Sequence, residues 1–530
     1  MTTFHGLLRS AAELHGDRTA ILFEDRSLSF ADMLARAESL AAGLAAQGVT
    51  PGDRLAIIMD NSLECVLAWF AGNLIGCADV PLNPQYRGEL LHYLLNDSDA
   101  SVLICDTHYL AQVIEITDRL PSLRLVIVNG AAAHEPNKGL TVLDLAACET
   151  GLPFAQPPQA DERIVLYTSG TTGPSKGVVH SQRAMMVLSQ YNAQVLGNGP
   201  EDRLLNFFPL FHQNARYTGV MPALCTGASI RIERKLSTST FWQTCDRDGI
   251  TAFNYLGSVL RMILNVTPPE RRAGTHTITK AFGAGASAGL WVECEERLGI
   301  RLYETYGLTE APMATINVPG PARCPPGSAG RGSELFEVAV FDENDNQVPP
   351  GEVGEIVLRP RRADAVMQGY LNKDEATVEA FRNLWFHSGD RGYLSEDGDL
   401  FFEERRKDSI RRRGENISAW EVESVVERHP GVAEAAAYGV RSEDVDEEVA
   451  VSLVLSDEGA GLADIHAFAR KHLPSYAVPT LLRIVSDLPR TPTAKVKKDE
   501  LRAVAREAYI DFATGPAEVP RTTIQEKGTR

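Results

Sequence analysis

Residues 168–177 read TSGTTGPSKG and follow directly on the apolar run Ile164-Val165-Leu166-Tyr167. Five hydroxyls (Thr168, Ser169, Thr171, Thr172, Ser175), the glycines Gly170, Gly173 and Gly177, and one lysine, Lys176, share this short stretch. Glycine lets backbone N–H groups approach an anion, hydroxyls add donors and lysine adds charge, so the stretch has the chemistry of a phosphate cradle. It is not a Walker A loop, which needs G-x-x-x-x-G-K-[ST]; here Lys176 is preceded by Ser175 and followed by Gly177. An ordinary polar loop has the same composition, so the meaning of this one rests on the motifs that accompany it.

The chain has 530 residues, enough for more than one domain and a large core. Its 44% hydrophobic and 23% charged content is ordinary for a soluble globular protein. A net charge of −18 argues against general nucleic-acid binding and against a basic membrane-surface patch. Arg405-Arg406-Lys407 and Arg411-Arg412-Arg413 form a local basic concentration in this acidic background. The eight cysteines are scattered without a CxxC pair, which indicates reduced, mostly buried thiols and neither a disulfide framework nor a zinc site. The N-terminal residues lack the pattern of a signal peptide and no stretch approaches 18 apolar residues, so a cytoplasmic location without a membrane span is expected.

Along the first half, helical and strand patterns alternate. Ala31–Gln47 has helical spacing and ends at Gly48, Leu55–Met59 reads as a buried strand, Leu63–Leu74 as a helix and Leu125–Val128 as a strand. Such alternation predicts stacked α/β units with largely parallel sheets. From about residue 330, short strands at Glu337–Phe341 and Gly354–Leu358 and a hairpin over Leu394–Phe402 predict a small β-rich subdomain. Beyond residues 404–410, a helix over Glu421–Arg428, strands over Ala433–Val440 and Val449–Leu455, and a helix over Leu462–His472 predict a compact α+β domain. The reading divides the chain into 1–404, 405–512 and a polar tail, 513–530, expected to be disordered.

Four further constellations carry chemistry. Tyr303-Glu304-Thr305-Tyr306-Gly307-Leu308-Thr309-Glu310 puts an aromatic, hydroxyls and a carboxylate on one turn, suited to stack a base, bond a phosphate and hold Mg²⁺. Asp390, in Trp385–Asp390, is read at the end of an aromatic-rich strand, where it can accept from a ribose diol or merely cap a turn. Arg405–Ile417 is either a solvated charge run or a hinge. Lys495, in Leu488–Val496, lies on a Pro/Thr-rich loop. Gly283-Ala284-Gly285-Ala286-Ser287-Ala288-Gly289 nearly matches G-x-G-x-x-G, but its third glycine falls one residue late, and a dinucleotide site is rejected.

In this order, the constellations resemble those of the adenylate-forming superfamily of acyl- and aryl-CoA synthetases, firefly luciferases and nonribosomal-peptide adenylation domains. The resemblance spans about residues 5–510, and Asn372–Asp390 with RRRGENIS looks like the crotonobetaine/carnitine-CoA ligase branch. It implies a large N-terminal domain of two α/β sheets plus a small β-barrel, followed by a mobile small C-terminal domain. It implies ATP, Mg²⁺ and coenzyme A as cofactor or cosubstrates, a small-molecule acid as substrate and no nucleic-acid partner, and it leaves a homo-oligomer open.

By the same resemblance, Thr168, Ser169, Gly170, Thr171, Thr172, Gly173 and Lys176 hold the outer phosphates. Gly283, Ala284, Gly285, Ala286 and Ser287 sandwich adenine with Tyr306, beside Glu304, Thr305 and Gly307. Thr309 reaches the α-phosphate and Glu310 the metal. Asp390 and Arg405 bond the ribose, Lys407 is the hinge residue, Gly414 and Glu415 belong to the nucleotide set, and Lys495 bridges the substrate carboxylate and α-phosphate. His212 matches a gating position. Asn254-Tyr255-Leu256-Gly257 and Gly283 onward are expected to line the acid pocket, with His212 and Arg216 near its mouth, and Tyr217 and Tyr255 are the aromatics available to cage a quaternary ammonium.

The chain departs from the family pattern at Ala494, where glycine is usual, and at Ala419, where proline is frequent and bulky Trp420 follows. These departures bear on the acceptor. An acid–CoA ligase is the first reading. An adenylating enzyme with a carrier-protein thiol, an amine or nitrite as acceptor is the second, and a non-catalytic module retaining the fold is the third.

Overall fold

The computed structural model describes residues 3–130, 140–154, 163–168, 174–320, 323–405, 409–412, 415–442, 447–456, 460–490 and 496–512. They fall into two compact units, one holding the described residues up to Arg405 except Pro174, and the other holding Pro174 and those from Ser409 onward.

In the larger unit, helix boundaries follow local chemistry. The helix Phe30–Ala46 starts where the Ser29 hydroxyl accepts the Asp32 N–H at 3.0 Å, one residue before the sequence reading placed it. Its buried Phe30, Met33, Ala37, Leu40, Ala41 and Leu44 recur at helical spacing. The next helix, Leu63–Ile75, is capped by Ser62 and stopped by Gly76, and every residue in it except Glu64 is buried.

Two large sheets are present among the described residues. One has the order Gly369–Tyr370, Lys176–Ser181, Arg163–Thr168, Ala78–Pro81, Arg54–Ile58, Val102–Asp106, Leu125–Asn129, Thr141–Asp144. Its pairs are parallel from Arg163–Thr168 through Thr141–Asp144, and antiparallel where Lys176–Ser181 meets its two neighbours. The other runs Arg301–Glu304, Lys280–Ala284, Ala252–Leu256, Arg203–Asn206, Ser229–Ile232, Thr19–Phe23, Arg26–Ser29, and is parallel except at its last pair. One apolar core joins both sheets through the helices, with Leu55, Ile57 and Ile104 in the same cluster as Leu204, Ile230 and Ile21.

The β-rich segment forms a four-stranded antiparallel sheet, Phe336–Phe341, Gly354–Pro360, Phe386–Leu394, Leu400–Arg405. Ala329 N–H donates to the Leu400 carbonyl, and Leu400 N–H returns the bond to Gly330, at 2.8 Å each. The chain then enters Arg331–Gly332 and the first strand of the sheet, so it passes from last strand to first, in keeping with the small barrel expected.

The smaller unit is α+β. Val432–Arg441, Glu447–Leu455, Leu481–Ile484 and Ile510–Asp511 form its sheet, accompanied by helices Ala419–Val426 and Leu462–His472. Ala419 is the first residue of its helix, after the Ser418 cap, a position where proline's fixed φ is accepted. Alanine there keeps the helix and gives up only stiffness. The Trp420 side chain, Ala494 and the tail 513–530 lie outside what is described.

All eight cysteines are free, seven of them buried and Cys225 half-buried. Burial pushes every thiol up, Cys65, Cys105, Cys225, Cys294 and Cys324 to about 12. No described helix is long and apolar enough to cross a membrane.

Candidate active site

The two ends of the glycine- and hydroxyl-rich stretch are fixed. Thr168 pairs antiparallel with Lys176, and Tyr167 with Gly177. Here the stretch leads into a strand, where Walker and Rossmann loops lead into a helix, so any anion held there depends on its own N–H groups, hydroxyls and Lys176. Ser169, Gly170, Thr171, Thr172 and Gly173 lie outside the described residues.

The strand Lys280–Ala284 delivers Gly283 and Ala284 to the C-terminal edge of the second sheet, the edge where parallel α/β sheets take ligands. Gly285, with φ +79°, turns the chain, and Ser287 caps the helix Ala288–Glu293. Gly257 and Gly285 meet backbone to backbone: a Cβ on Gly257 would stand 1.8 Å from the Gly285 carbonyl oxygen. Thr305 N–H donates to Gly283 O at 2.9 Å, which ties this turn to the next motif.

That motif follows the strand Arg301–Glu304 without entering a helix. Thr315 Oγ1 accepts the Tyr306 N–H at 3.0 Å, and Thr305 Oγ1 donates to the Thr315 carbonyl at 2.7 Å. The Tyr306 hydroxyl donates to Asp390 Oδ2 at 2.9 Å, joining motifs 84 residues apart. Glu304 is turned into the core. It is 3% exposed, accepts from the Tyr255 hydroxyl and from Ala286 N–H at 3.1 Å, and so braces the Gly283–Ser287 turn from below.

Glu310 is half-buried and its Oε1 accepts from the Tyr370 hydroxyl at 2.9 Å. The Lys176 ammonium lies 4.7 Å from the centre of the same tyrosine ring. Thr309 is half-buried, and its carbonyl accepts from His180 Nε2 at 2.7 Å. Neither His180 nor Tyr370 belongs to a motif recognisable in the sequence. His180 reads as one residue of a plain strand, and the only signal for Tyr370 is the Gly369-Tyr370 pair just before Asn372–Asp390.

Burial pushes the His180 imidazole down from 6.5 to about 4, against the opposing bond to Thr309. Between those values the unfolded chain binds a proton that the folded one refuses, so stability is complete above pH 6.5 and falls as pH drops toward 4. At pH 5 the loss from this group is about 2 kcal/mol. His180→Gln keeps a donor and does not titrate, so urea denaturation of this variant at pH 7 and pH 5 should show a drop smaller by about that amount. Equal drops in wild type and variant would remove His180 as the cause.

Asp390 is 2% exposed and sits in the middle of the strand Phe386–Leu394, not at its end. The strand continues because Gly389, with φ +74°, absorbs an irregularity there, and Asp390 pairs across the sheet with Arg405. Glu355 holds the segment from behind, accepting Gly389 N–H at 3.0 Å, His387 Nδ1 at 3.0 Å and an Arg382 N–H at 3.1 Å. Burial opposes the Glu355 charge, but the bonds and charges of these three partners outweigh it and hold its carboxyl below the usual range.

The expected acid pocket needs correction. His212 is half-buried, beside the Phe211 ring at 4.3 Å, and not a packed core residue. Asn254 is buried, and its amide donates to Asn214 Oδ1 at 2.8 Å and Thr218 Oγ1 at 2.9 Å, bracing the π-helical turn Arg216–Val220. Tyr255 is fully buried with its hydroxyl on Glu304, and Tyr217 belongs to a different apolar cluster, so the two do not cage one ligand. Arg216 is not at a mouth: it is 1% exposed, paired with Asp79 and stacked 4.4 Å from the Trp69 ring.

In the smaller unit, Glu415 opens a strand paired with Ser409–Arg412. Lys407, Gly414, Lys495 and the Arg405 side chain lie outside the described residues.

The sequence profile of the AMP-binding enzyme family matches residues 8–371, and that of the AMP-binding enzyme C-terminal domain matches residues 421–495. A crotonobetaine/carnitine–CoA ligase of Salmonella paratyphi A is 29% identical over 504 residues, 93% of this chain and 97% of that protein. The structure of an o-succinylbenzoate CoA synthetase double mutant from Bacillus subtilis, bound to a product analogue, matches with a TM-score of 0.82 at 27% identity. That match covers 94% of this chain and 98% of the other. An amide bond synthetase from Marinactinospora thermotolerans shares the fold, with a TM-score of 0.81 at 24% identity over 94% and 99% of the two chains. The first profile alone covers more than half of the residues, and the motifs that carried the resemblance fall within the matched span or close beyond it. This chain therefore belongs to the AMP-binding enzyme family of adenylate-forming ligases.

Proposed function

We propose that the enzyme is an ATP-dependent acid–CoA ligase. It activates a small or medium organic acid as its acyl adenylate, releasing pyrophosphate, and then transfers the acyl group to coenzyme A. The observation that carries this reading is the series of contacts within the larger unit linking motifs far apart in sequence. Gly283 bonds Thr305, the neighbouring Tyr306 bonds Asp390, and Glu310 bonds Tyr370 beneath Lys176.

In the first step a carboxylate attacks a phosphate, anion on anion, so positive charge must gather where negative charge develops. Lys176 and the N–H groups and hydroxyls from Thr168 onward steady the departing pyrophosphate. Asp390 and Arg405 hold the ribose and Tyr306 with the Gly283–Ser287 turn holds the base, which fixes the α-phosphate for in-line attack. Thr309 and Lys495 meet the α-phosphate. Glu310 fits Mg²⁺, since one half-buried carboxylate alongside phosphate oxygens is the donor set that ion accepts; when bound it supplies positive charge to the phosphates. The acyl adenylate is then open to attack by a thiol, with AMP leaving. His212 gates the acceptor's approach, and Lys407 is the hinge on which the smaller domain moves between the two steps.

The choice of coenzyme A is supported by the relatives described as CoA ligases. The test is a panel of carboxylic acids incubated with ATP, with and without CoA, and read for AMP and acyl-CoA by mass spectrometry. Acid-dependent AMP with acyl-CoA is expected. AMP with the acyl group on an amine or carrier protein would replace the acceptor, and no acid-dependent AMP from any member would remove the reading.

A further inference from the structure

Tyr370 has no role in the motifs or in the reaction as proposed, yet its side chain touches two of the groups that reaction needs. It lies on the edge strand Gly369–Tyr370, opposite Val178 and so beside the strand that begins with Lys176. The hydroxyl donates to Glu310 Oε1 at 2.9 Å, and Lys176 Nζ stands 4.7 Å from the ring centre. A phenol offers different chemistry at its face and at its edge: the negative π-face attracts an ammonium, and the hydroxyl donates to a carboxylate. Tyr370 uses both at once.

The backbone around it is fixed at both ends. Met367 N–H donates to the Glu310 carbonyl at 2.8 Å, Gln368 N–H to Val179 O at 2.7 Å and Leu371 N–H to Gly177 O at 2.7 Å. Tyr370 N–H itself donates to Thr377 Oγ1 at 2.9 Å. The approach of Leu371 is close enough that a Cβ on Gly177 would stand 3.2 Å from the Leu371 Cβ and 2.8 Å from Val165. Residues 367–371 thus form a short strap whose backbone bonds reach both Glu310 and the strand that carries Lys176.

We propose that Tyr370 is a positioning residue for the metal and phosphate part of the site. Its hydroxyl fixes the rotamer of Glu310, and its ring face holds the Lys176 chain extended. The carboxylate and the ammonium are then presented together to a metal-bound triphosphate, where otherwise two opposite charges at short range would turn toward each other. This rests on the reading of Glu310 as the metal carboxylate and Lys176 as a phosphate ligand. Groups that orient a metal ligand commonly change affinity by about 10- to 100-fold when removed.

The test uses the full-length enzyme with Mn²⁺ as probe. Electron paramagnetic resonance measures Mn²⁺ affinity in the presence of a non-hydrolysable ATP analogue, and the analogue's own affinity is measured in metal-free buffer. Tyr370→Phe keeps the ring and loses the hydroxyl. It should weaken Mn²⁺ by about 10-fold or more while changing metal-free nucleotide affinity by less than about twofold. Tyr370→Leu also removes the ring face and should weaken metal-free nucleotide binding as well. Thr377→Val releases the strap while leaving the phenol intact, and covers the case in which Tyr370→Phe does not fold; it too should weaken Mn²⁺. Glu310→Gln separates the two ideas. Weak Mn²⁺ binding in Glu310→Gln with unchanged binding in the Tyr370 and Thr377 variants overturns this inference and leaves the role of Glu310 standing. Unchanged Mn²⁺ affinity in Glu310→Gln removes the carboxylate's role and this inference with it.

Discussion

Lys495→Ala should lower acid-dependent AMP formation by about 100-fold or more, the scale seen when one preorganised group that meets developing charge is deleted. The melting temperature should not change. The first half-reaction brings two anions together, and a neutral residue at 495 leaves their repulsion uncompensated. Of its described neighbours, Arg490 pairs with Val496, and Lys497 N–H donates to the Pro489 carbonyl at 2.7 Å. Thiol attack on an acyl adenylate meets no such repulsion, so the same variant given preformed acyl adenylate and CoA should still make thioester. A variant with normal AMP formation would end this assignment.

Arg216→Leu should cost about 3–5 kcal/mol of stability, measured by urea denaturation, because it strands a buried carboxylate. Asp79 is 3% exposed; burial pushes its carboxyl up while Arg216 pulls it back, and its Oδ1 has no hydrogen-bond partner among the described residues. Arg216 also donates to the Leu210 carbonyl and lies over Trp69, so its loss loosens the loop that leads to His212. Replacing both members of the pair, Asp79→Leu with Arg216→Leu, should recover most of the loss, since the cost comes from the uncompensated charge. If the single variant stays within about 1 kcal/mol of wild type, the pair is not what holds this part of the core.

Elements set by local chemistry were legible in the sequence. The helix Leu462–His472 has the bounds expected of it; Gly461 caps its start, and Leu473, lying before Pro474, leaves helical geometry. The order of motifs carried the family. The direction of side chains was not legible: Arg216 and Tyr255 are polar residues near a predicted site, and only the fold reveals that their partners, Asp79 and Glu304, come from other strands and turn them inward. Glu304 lies within the motif Tyr303–Glu310, at the end of the strand Arg301–Glu304, and is buried with its carboxylate on Tyr255 and Ala286. His180 and Tyr370 act on Thr309 and Glu310 from a neighbouring strand pair, a relation that sequence spacing does not encode.

The state of the cysteines bears on how the reaction can be followed. Disulfide exchange needs a thiolate, and every thiol here is held protonated at neutral pH by the apolar surroundings that bury it. On the proposed reading, in which a free thiol is the second substrate, the folded enzyme therefore offers that thiol no reactive cysteine for a mixed disulfide. A chromogenic disulfide reagent added to the folded enzyme would report the acceptor being consumed, with little background from the protein itself.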